Sequence, residues 1–158
     1  MTIVGPPGVG KTALARELSA RLVKPLTVTW CHLGEASELE GFGAVLARKL
    51  LPGDRLGGGA EALLARVGEV LFRGGPRVLV LDRMEHLAEA AGQSLTELLA
   101  RCPNVSALLT SRRAIDLPGE QALTLAPLRT PAPGDHSERA DAVALYLQHV
   151  RRLRGWEP

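Results

Sequence analysis

The strongest signal in the sequence lies near its start: Gly5-Pro6-Pro7-Gly8-Val9-Gly10-Lys11-Thr12. It fits the pattern G-x-x-x-x-G-K-S/T, in which glycines let successive backbone N–H groups turn inward around an anion without a crowding Cβ. In this pattern Lys11 reaches the β- and γ-phosphates of a nucleotide, and the Thr12 hydroxyl holds Mg²⁺. A helix that starts here also points the positive end of its dipole at the anion. The stretch therefore predicts a phosphate-binding loop.

The segments on both sides of the loop support this prediction. Thr2–Val4 is short, β-branched and apolar, as expected of a strand entering the loop, and Ala13–Val23 carries leucines at helical spacing. A chance glycine turn is the weaker alternative, because both flanks fit. The residues expected to bind the nucleotide cofactor are Gly5, Pro6, Gly8, Val9, Gly10, Lys11, Thr12 and Ala13.

Composition and charge narrow the class of protein. The chain has 158 residues, of which 46% are hydrophobic and 23% charged, as in an ordinary globular domain with a real core. A net charge of +2 gives no strong case for attraction to nucleic acid or to a membrane. Cys31 and Cys102 are too few for a disulfide framework or a metal site. No signal peptide or bilayer-spanning run is visible, so we expect a cytoplasmic protein with reduced thiols.

Apolar segments typical of strands alternate with amphipathic helical segments along the chain. After Thr2–Val4, strands are predicted at Leu26–Leu33, Arg77–Asp82, Val105–Thr110 and Gln121–Leu125. This alternation predicts a parallel sheet with helices on both faces. Two capping boxes, Ser37-x-x-Glu40 and Ser94-x-x-Glu97, are expected to open helices.

The segment Arg77–Asp82 is a continuous apolar run that ends in a carboxylate. Such a run is typical of a parallel strand buried on both faces, and open α/β sheets bind ligands at the carboxyl ends of their strands. Since a phosphate-binding loop precedes it, Asp82 is predicted to be the Walker B aspartate that holds Mg²⁺. The alternative is a strand-terminal helix cap.

Three further groups of residues lie at or near the ends of predicted strands. Glu85 follows Asp82 on the next turn, and Arg112 follows the fourth strand, where it could point at a γ-phosphate. For Arg112, a solvated basic loop is an equally good interpretation. The cluster Trp30-Cys31-His32 is interpreted as residues alternating between two faces of a buried strand rather than as a metal site, because no partner Cys/His pair exists.

The end of the chain differs in composition from the rest. Pro127–Gly134 holds three prolines and is typical of a linker. The last helix carries apolar residues on one face, and arginines in its final turn complement the helix dipole. We therefore interpret those arginines as structural rather than as a nucleic-acid patch.

The ordered set of motifs resembles the nucleotide-binding domain of STAND-class ATPases, which include the NB-ARC proteins. It is most similar to the ATPase module of large bacterial LuxR-type and antibiotic-regulatory-type transcription regulators. The segments that carry the resemblance are Val78–Leu87, Leu108–Arg112, Leu117–Glu120, Leu125–Leu128 and Ala142–Tyr146.

The resemblance implies an α/β fold, namely a three-layer P-loop NTPase sandwich with a five-stranded parallel sheet in the order 2-3-4-1-5 and a C-terminal lid helix. It divides the chain into a nucleotide-binding domain (1–128), a linker (129–136) and the first helix of a truncated lid (137–158). It also implies binding of Mg²⁺ with ATP or ADP. Lys11 and Thr12 would contact phosphate and Mg²⁺, Asp82 would hold Mg²⁺, and Arg112 would sense the γ-phosphate.

The chain departs from this family at one catalytic position. Arg83 stands where many relatives have Asp or Asn, which leaves Glu85 as the nearby carboxylate to position water. The chain also starts almost on its first strand and stops after one lid helix, so we expect a domain fragment or a truncated gene product.

Three functions are compatible with these residues. We expect a slow ATPase switch in signal transduction or transcriptional regulation, working with other domains or protein partners and without direct contact to nucleic acid or membrane. The alternatives are a non-hydrolysing nucleotide-binding fragment that acts through protein contacts, and a small-molecule kinase. A kinase should carry acceptor-binding residues and a lid between strands, and the sequence shows no such constellation.

Overall fold

The computed structural model describes residues 1–22, 26–34, 36, 38–53, 57–131 and 140–154. Ser37 of the first predicted capping box and residues 132–136 of the predicted linker lie outside these ranges. The chain forms two compact units, Met1–Leu125 and Ala126–Pro158. No helix in the ranges given above is long and apolar enough to cross a bilayer.

The first unit is a five-stranded parallel sheet flanked by helices. Along the chain its elements are β1 (Thr2–Val4), α1 (Lys11–Arg21), β2 (Thr27–His32), α2 (Leu39–Leu50), α3 (Ala60–Arg73), β3 (Arg77–Asp82), a 3₁₀ turn (Met84–His86), α4 (Ala88–Arg101), β4 (Val105–Ser111) and β5 (Ala122–Thr124). The strands lie in the order β2-β3-β4-β1-β5. This confirms the predicted P-loop NTPase sheet.

Alternating side chains of the central strands supply a core on each side of the sheet. Leu79 and Leu81 of β3 belong to the cluster that also holds Phe42 of α2, whereas Val80 packs on the other side with Ala15 of α1. Successive side chains of a strand point to opposite faces, so an entirely apolar strand requires cover on both. The apolar run before Asp82 therefore becomes a central strand.

The start of α4 differs from the prediction. The helix begins at Ala88, so Ser94 lies in its interior and does not cap it. The backbone N–H of Ala91 donates to Leu87 at 2.8 Å, and both of these residues are fully buried. Alanine-rich sequence extends helices readily, and burial of this first turn outweighs the local capping signal. In α2 the residue at the N-cap is Glu38.

The second unit contains α5 (Asp141–Arg154). Arg129 Nε donates to Asp141 Oδ2 at 3.0 Å, and the carbonyl of Arg129 accepts from the N–H of Ala142 at 3.1 Å. These contacts connect the start of the helix to the first residue of the predicted linker. The division into 1–128, 129–136 and 137–158 stays a prediction.

Candidate functional site

A cleft of about 360 Å³ opens beside the start of α1. Its walls come from three places that are distant in sequence: the glycine-rich loop with the first turn of α1, the turn after β3, and the end of β4. The lining residues are Pro7, Gly8, Gly10, Lys11, Thr12, Ala13, Arg83, Glu85, His86, Thr110 and Arg112. The cleft thus lies at the sheet edge where parallel α/β folds bind ligands.

The glycines of the loop are required for two different reasons. Gly8 has φ +78° and Gly10 has φ +102°, a left-handed region that L side chains rarely adopt. A Cβ on either would meet nothing within 4 Å, so conformation and not space demands glycine there. At Gly5 a Cβ would lie 2.6 Å from the carbonyl oxygen of Leu125. A side chain at Gly5 would therefore clash with the backbone of the residue that follows β5.

Lys11 is held by its own loop. Its Nζ donates to the carbonyl oxygens of Gly5 at 2.8 Å and Pro6 at 2.9 Å. Since the side chain also lines the cleft, it places a full positive charge beside the N-terminus of α1, where the helix dipole adds further positive potential. This part of the cleft is suited to an anion.

Asp82 lies directly behind the cleft, at the end of β3, and is 1% exposed. Its Oδ1 accepts hydrogen bonds from the hydroxyls of Thr12, at 2.7 Å, and Thr110, at 2.6 Å. Its Oδ2 lies 2.9 Å from Nδ1 of His32. Three donors from three elements thus converge on one carboxylate.

These contacts decide the charge of Asp82. Burial by itself would raise the pKa of this carboxyl group, but the hydrogen bonds from Thr110, Thr12 and His32 outweigh it and hold the pKa below its ordinary value. Asp82 is therefore an anion at neutral pH. An ionised carboxylate has no proton to donate, so Nδ1 of His32 must carry the hydrogen.

Thr110 links the ends of β3 and β4. Its hydroxyl oxygen, which donates to Asp82, also accepts from the backbone N–H of Arg83 at 2.9 Å. Arg83 has φ +65°, a left-handed conformation that costs energy in a residue with a Cβ. The hydrogen bond to Thr110 helps to hold that turn in place.

Glu85 and Arg112 meet across the cleft. Arg112 Nε lies 3.2 Å from Oε1 of Glu85, and the side chains are 57% and 11% exposed. The other carboxylate oxygen of Glu85 is buried and has no hydrogen-bond partner among the residues that the structure describes. Both residues thus line the cleft, and each is engaged by the other.

The structure brings most of the predicted site residues together. Lys11, Thr12, Glu85 and Arg112 line one cleft with Gly8, Gly10 and Ala13, and Asp82 adjoins it through Thr12. Gly5, Pro6 and Val9 belong to the loop but do not line the cleft. Their roles as ligands stay predictions.

Sequence reasoning missed the two residues that contact Asp82 besides Thr12, namely Thr110 and His32. Both are polar residues at the carboxyl ends of parallel strands, and that position was the available signal. The interpretation of Trp30-Cys31-His32 as alternating residues agrees with the burial pattern, because Cys31 is fully buried and the His32 side chain is 52% exposed. Burial raises the pKa of the Cys31 thiol to about 11, which makes it an inert core residue.

The donor set at Thr12 and Asp82 fits Mg²⁺. This cation prefers hard oxygen ligands and is usually held by one or two carboxylates together with phosphate oxygens. A hydroxyl oxygen and an ionised carboxylate lie 2.7 Å apart, beside a loop suited to an anion, and are of the type that would hold this cation.

The sheet order and the glycine-rich loop before α1 define a P-loop NTPase fold. Residues 1–117 match the family described as the AAA domain. The chain belongs to this family, and it is an AAA-type P-loop NTPase domain.

Two curated relatives cover much of this chain. An uncharacterized protein of Mycobacterium tuberculosis is 31% identical over 98% of the chain, which spans 37% of that protein. A second protein of the same organism, provisionally named an HTH-type transcriptional regulator, is 34% identical over 76% of the chain, which spans 13% of its length. The chain thus spans well under half the length of either relative.

Solved structures support the fold. The ORC1 protein of Aeropyrum pernix, solved in complex with DNA, superposes with a TM-score of 0.65 over 98% of this chain and 42% of its own, at 18% identity. The ADP form of the ORC2 protein from the same organism gives a TM-score of 0.65 over 99% of this chain and 48% of its own, at 16% identity. At these identities the similarity shows the fold alone.

Proposed function

We propose that this chain is an ATP- and ADP-binding switch module that hydrolyses ATP slowly. The observation that carries the proposal is the 2.7 Å contact between the hydroxyl of Thr12 and the buried, ionised Asp82, beside Lys11 and a left-handed glycine loop. An anion site next to a pair of hard oxygen ligands is suited to a phosphate chain with Mg²⁺.

Each residue has a role in this proposal. The loop from Gly5 to Ala13 surrounds the phosphates, Lys11 neutralises their charge, and Thr12 and Asp82 hold Mg²⁺. When bound, Mg²⁺ neutralises charge that develops on the transferring phosphoryl group. Arg112 senses the γ-phosphate.

Slow hydrolysis is supported by the state of Glu85. A water-positioning carboxylate needs a free oxygen that faces the attacking water, whereas Oε1 of Glu85 is paired with Arg112 and Oε2 is buried. Arg83, which follows Asp82, supplies no carboxylate. Hydrolysis then requires Arg112 to leave Glu85, and this rearrangement limits the rate.

The same ion pair favours a second candidate function, a nucleotide-binding module that does not hydrolyse ATP. If Arg112 stays on Glu85 with nucleotide bound, binding alone would change contacts to other proteins. Single-turnover hydrolysis separates the two functions, because only the first releases phosphate.

The regulatory context rests on similarity and on composition. We place the chain in the STAND class, with an NB-ARC-like domain (1–128), a linker (129–136) and a lid helix (137–158). The relative named as an HTH-type transcriptional regulator is much longer than the matched region. Other domains or protein partners of a cytoplasmic regulator are therefore the proposed recipients of the switch. The net charge of +2 is small, so we expect no direct contact with nucleic acid or membrane.

Ligand-induced stabilisation tests nucleotide binding. A ligand at 100 times its dissociation constant stabilises by about 2.7 kcal/mol, which raises the Tm of a domain of this size by roughly 5–10 °C. The wild-type chain should show this shift with Mg²⁺-ATP or Mg²⁺-ADP, and Lys11→Ala should lose most of it. Each variant is compared with its own ligand-free Tm, because Lys11 also makes loop contacts.

Lys49→Ala is the matched control, since Lys49 is an exposed lysine on α2 that does not line the cleft. It should keep the wild-type shift. A folded wild-type chain without any shift at millimolar nucleotide, or equal shifts in Lys11→Ala and the wild type, would contradict the proposed function.

A further inference from the structure

We propose that His32 is a positioning residue for the Mg²⁺ site, acting through the carboxylate of Asp82. The inference rests on the proposed function, because it concerns the cation that accompanies the nucleotide. His32 does not line the cleft, so its effect on the cation must pass through Asp82.

The register of the sheet places the two residues side by side. In the parallel ladder of β2 and β3, His32 pairs with Asp82, at the carboxyl end of each strand. Paired residues of adjacent strands project from the same face of a sheet. The 2.9 Å contact between Nδ1 and Oδ2 is therefore a consequence of the fold.

The three hydrogen-bond donors to Asp82 are shared between its two carboxylate oxygens. Both hydroxyl donors, Thr12 and Thr110, are on Oδ1, and His32 is the donor to Oδ2. Thr12 is also the proposed Mg²⁺ ligand, so its bond to Asp82 is the one that cation binding would disturb. Thr110 and His32 then hold the carboxylate plane from two sides, and loss of His32 would leave it free to turn about Thr110.

The imidazole of His32 lies close to the backbone of Gly34. A Cβ on Gly34 would lie 3.2 Å from Nε2 of His32 and 3.1 Å from Cδ of Arg83. A side chain at residue 34 would therefore crowd both the imidazole and the Arg83 side chain, and glycine leaves room for them.

Hydrogen-bond donors behind a metal ligand fix its orientation, and their removal typically reduces metal affinity about 10- to 100-fold. We therefore expect His32→Ala to weaken the Mg²⁺ dependence of nucleotide binding and to leave Mg²⁺-free binding almost unchanged. A merely structural role would change both. The measured quantity is the ratio of the ADP dissociation constants in EDTA and in saturating Mg²⁺, which we call the Mg²⁺ factor.

The experiment compares five proteins by titration with ADP. His32→Ala should lower the Mg²⁺ factor about tenfold, and His32→Leu, which keeps bulk over Gly34 and lacks a donor, should do the same even if the alanine variant folds poorly. His32→Asn should keep most of the factor, because its amide can donate from nearly the position of Nδ1. Thr27→Ala is the control, at the exposed opposite end of the same strand. Binding of Mn²⁺ in the presence of ADP, followed by electron paramagnetic resonance, gives a direct second readout.

The outcomes distinguish this inference from the proposed function. A wild-type Mg²⁺ factor in both His32→Ala and His32→Leu overturns the role of His32 and leaves nucleotide binding standing. An equal loss of ADP affinity in EDTA and in Mg²⁺ shows a structural role and also overturns it. A folded wild-type chain that does not bind ADP overturns the proposed function together with the inference.

Discussion

Replacing Thr110 by valine removes one hydroxyl and keeps the shape of the side chain. Thr110 is 1% exposed, and its hydroxyl donates to Asp82 at 2.6 Å while accepting from the N–H of Arg83 at 2.9 Å. A hydrogen bond to a charged group contributes about 1.5–3 kcal/mol to stability, and a buried polar group left without a partner costs about 1–3 kcal/mol. Arg83 is an exposed residue, so water can recover part of the second loss. We expect Thr110→Val to lower the free energy of unfolding by about 2–4 kcal/mol.

Urea denaturation of the nucleotide-free chain measures this loss. With a slope near 2 kcal/mol per M, the expected loss moves the unfolding midpoint by roughly 1–2 M without changing the slope. Thr124→Val on β5 makes the same chemical change at an exposed position and should stay within about 0.5 kcal/mol of the wild type. If Thr110→Val and Thr124→Val unfold at the same midpoint, the hydroxyl does not connect β3 and β4 energetically, and the reasoning about Asp82 loses its support.

Three further predictions concern catalysis, pH and nucleotide choice. In a single-turnover assay the wild-type chain should hydrolyse ATP well below about 1 s⁻¹, and Glu85→Gln should lower this rate while ATP affinity is kept. A wild-type rate of tens per second would show that the Arg112–Glu85 pair does not limit turnover. Burial raises the pKa of Glu120, but N–H groups of Ile115 and Asp116 help to lower it below the ordinary 4.5. Its ionised form therefore stabilises the fold above that pH, and Glu120→Gln should lower the free energy of unfolding by about 1 kcal/mol at pH 7. The difference between the variant and the wild type should shrink as the pH falls below 4.5, and a difference that does not change with pH would argue against this role of Glu120. The sequence holds no Asn-Lys-x-Asp guanine reader, so competition binding should favour ATP over GTP, and a clear GTP preference would contradict the adenine assignment.

Local sequence patterns were sufficient to predict two strands that border the site. The predicted strands Thr2–Val4 and Arg77–Asp82 have the bounds that the structure shows, because hydrophobic runs and glycine positions report directly on backbone conformation and burial. The start of α4 shows where such rules fail. The Ser94 capping box is a local signal, and burial of Leu87 and Ala91 in the core overrode it.

Residues within a few positions of one another are enough to predict the glycine loop with Lys11 and Thr12, and a buried strand that ends in Asp82. The hydrogen bonds from His32 and Thr110 to Asp82, and the pairing of Arg112 with Glu85, were visible only in the folded chain. Those contacts depend on which strands are adjacent and in what register they pair. Strand order and register follow from burying helices on both faces of one sheet, a property of the whole chain that no local pattern contains.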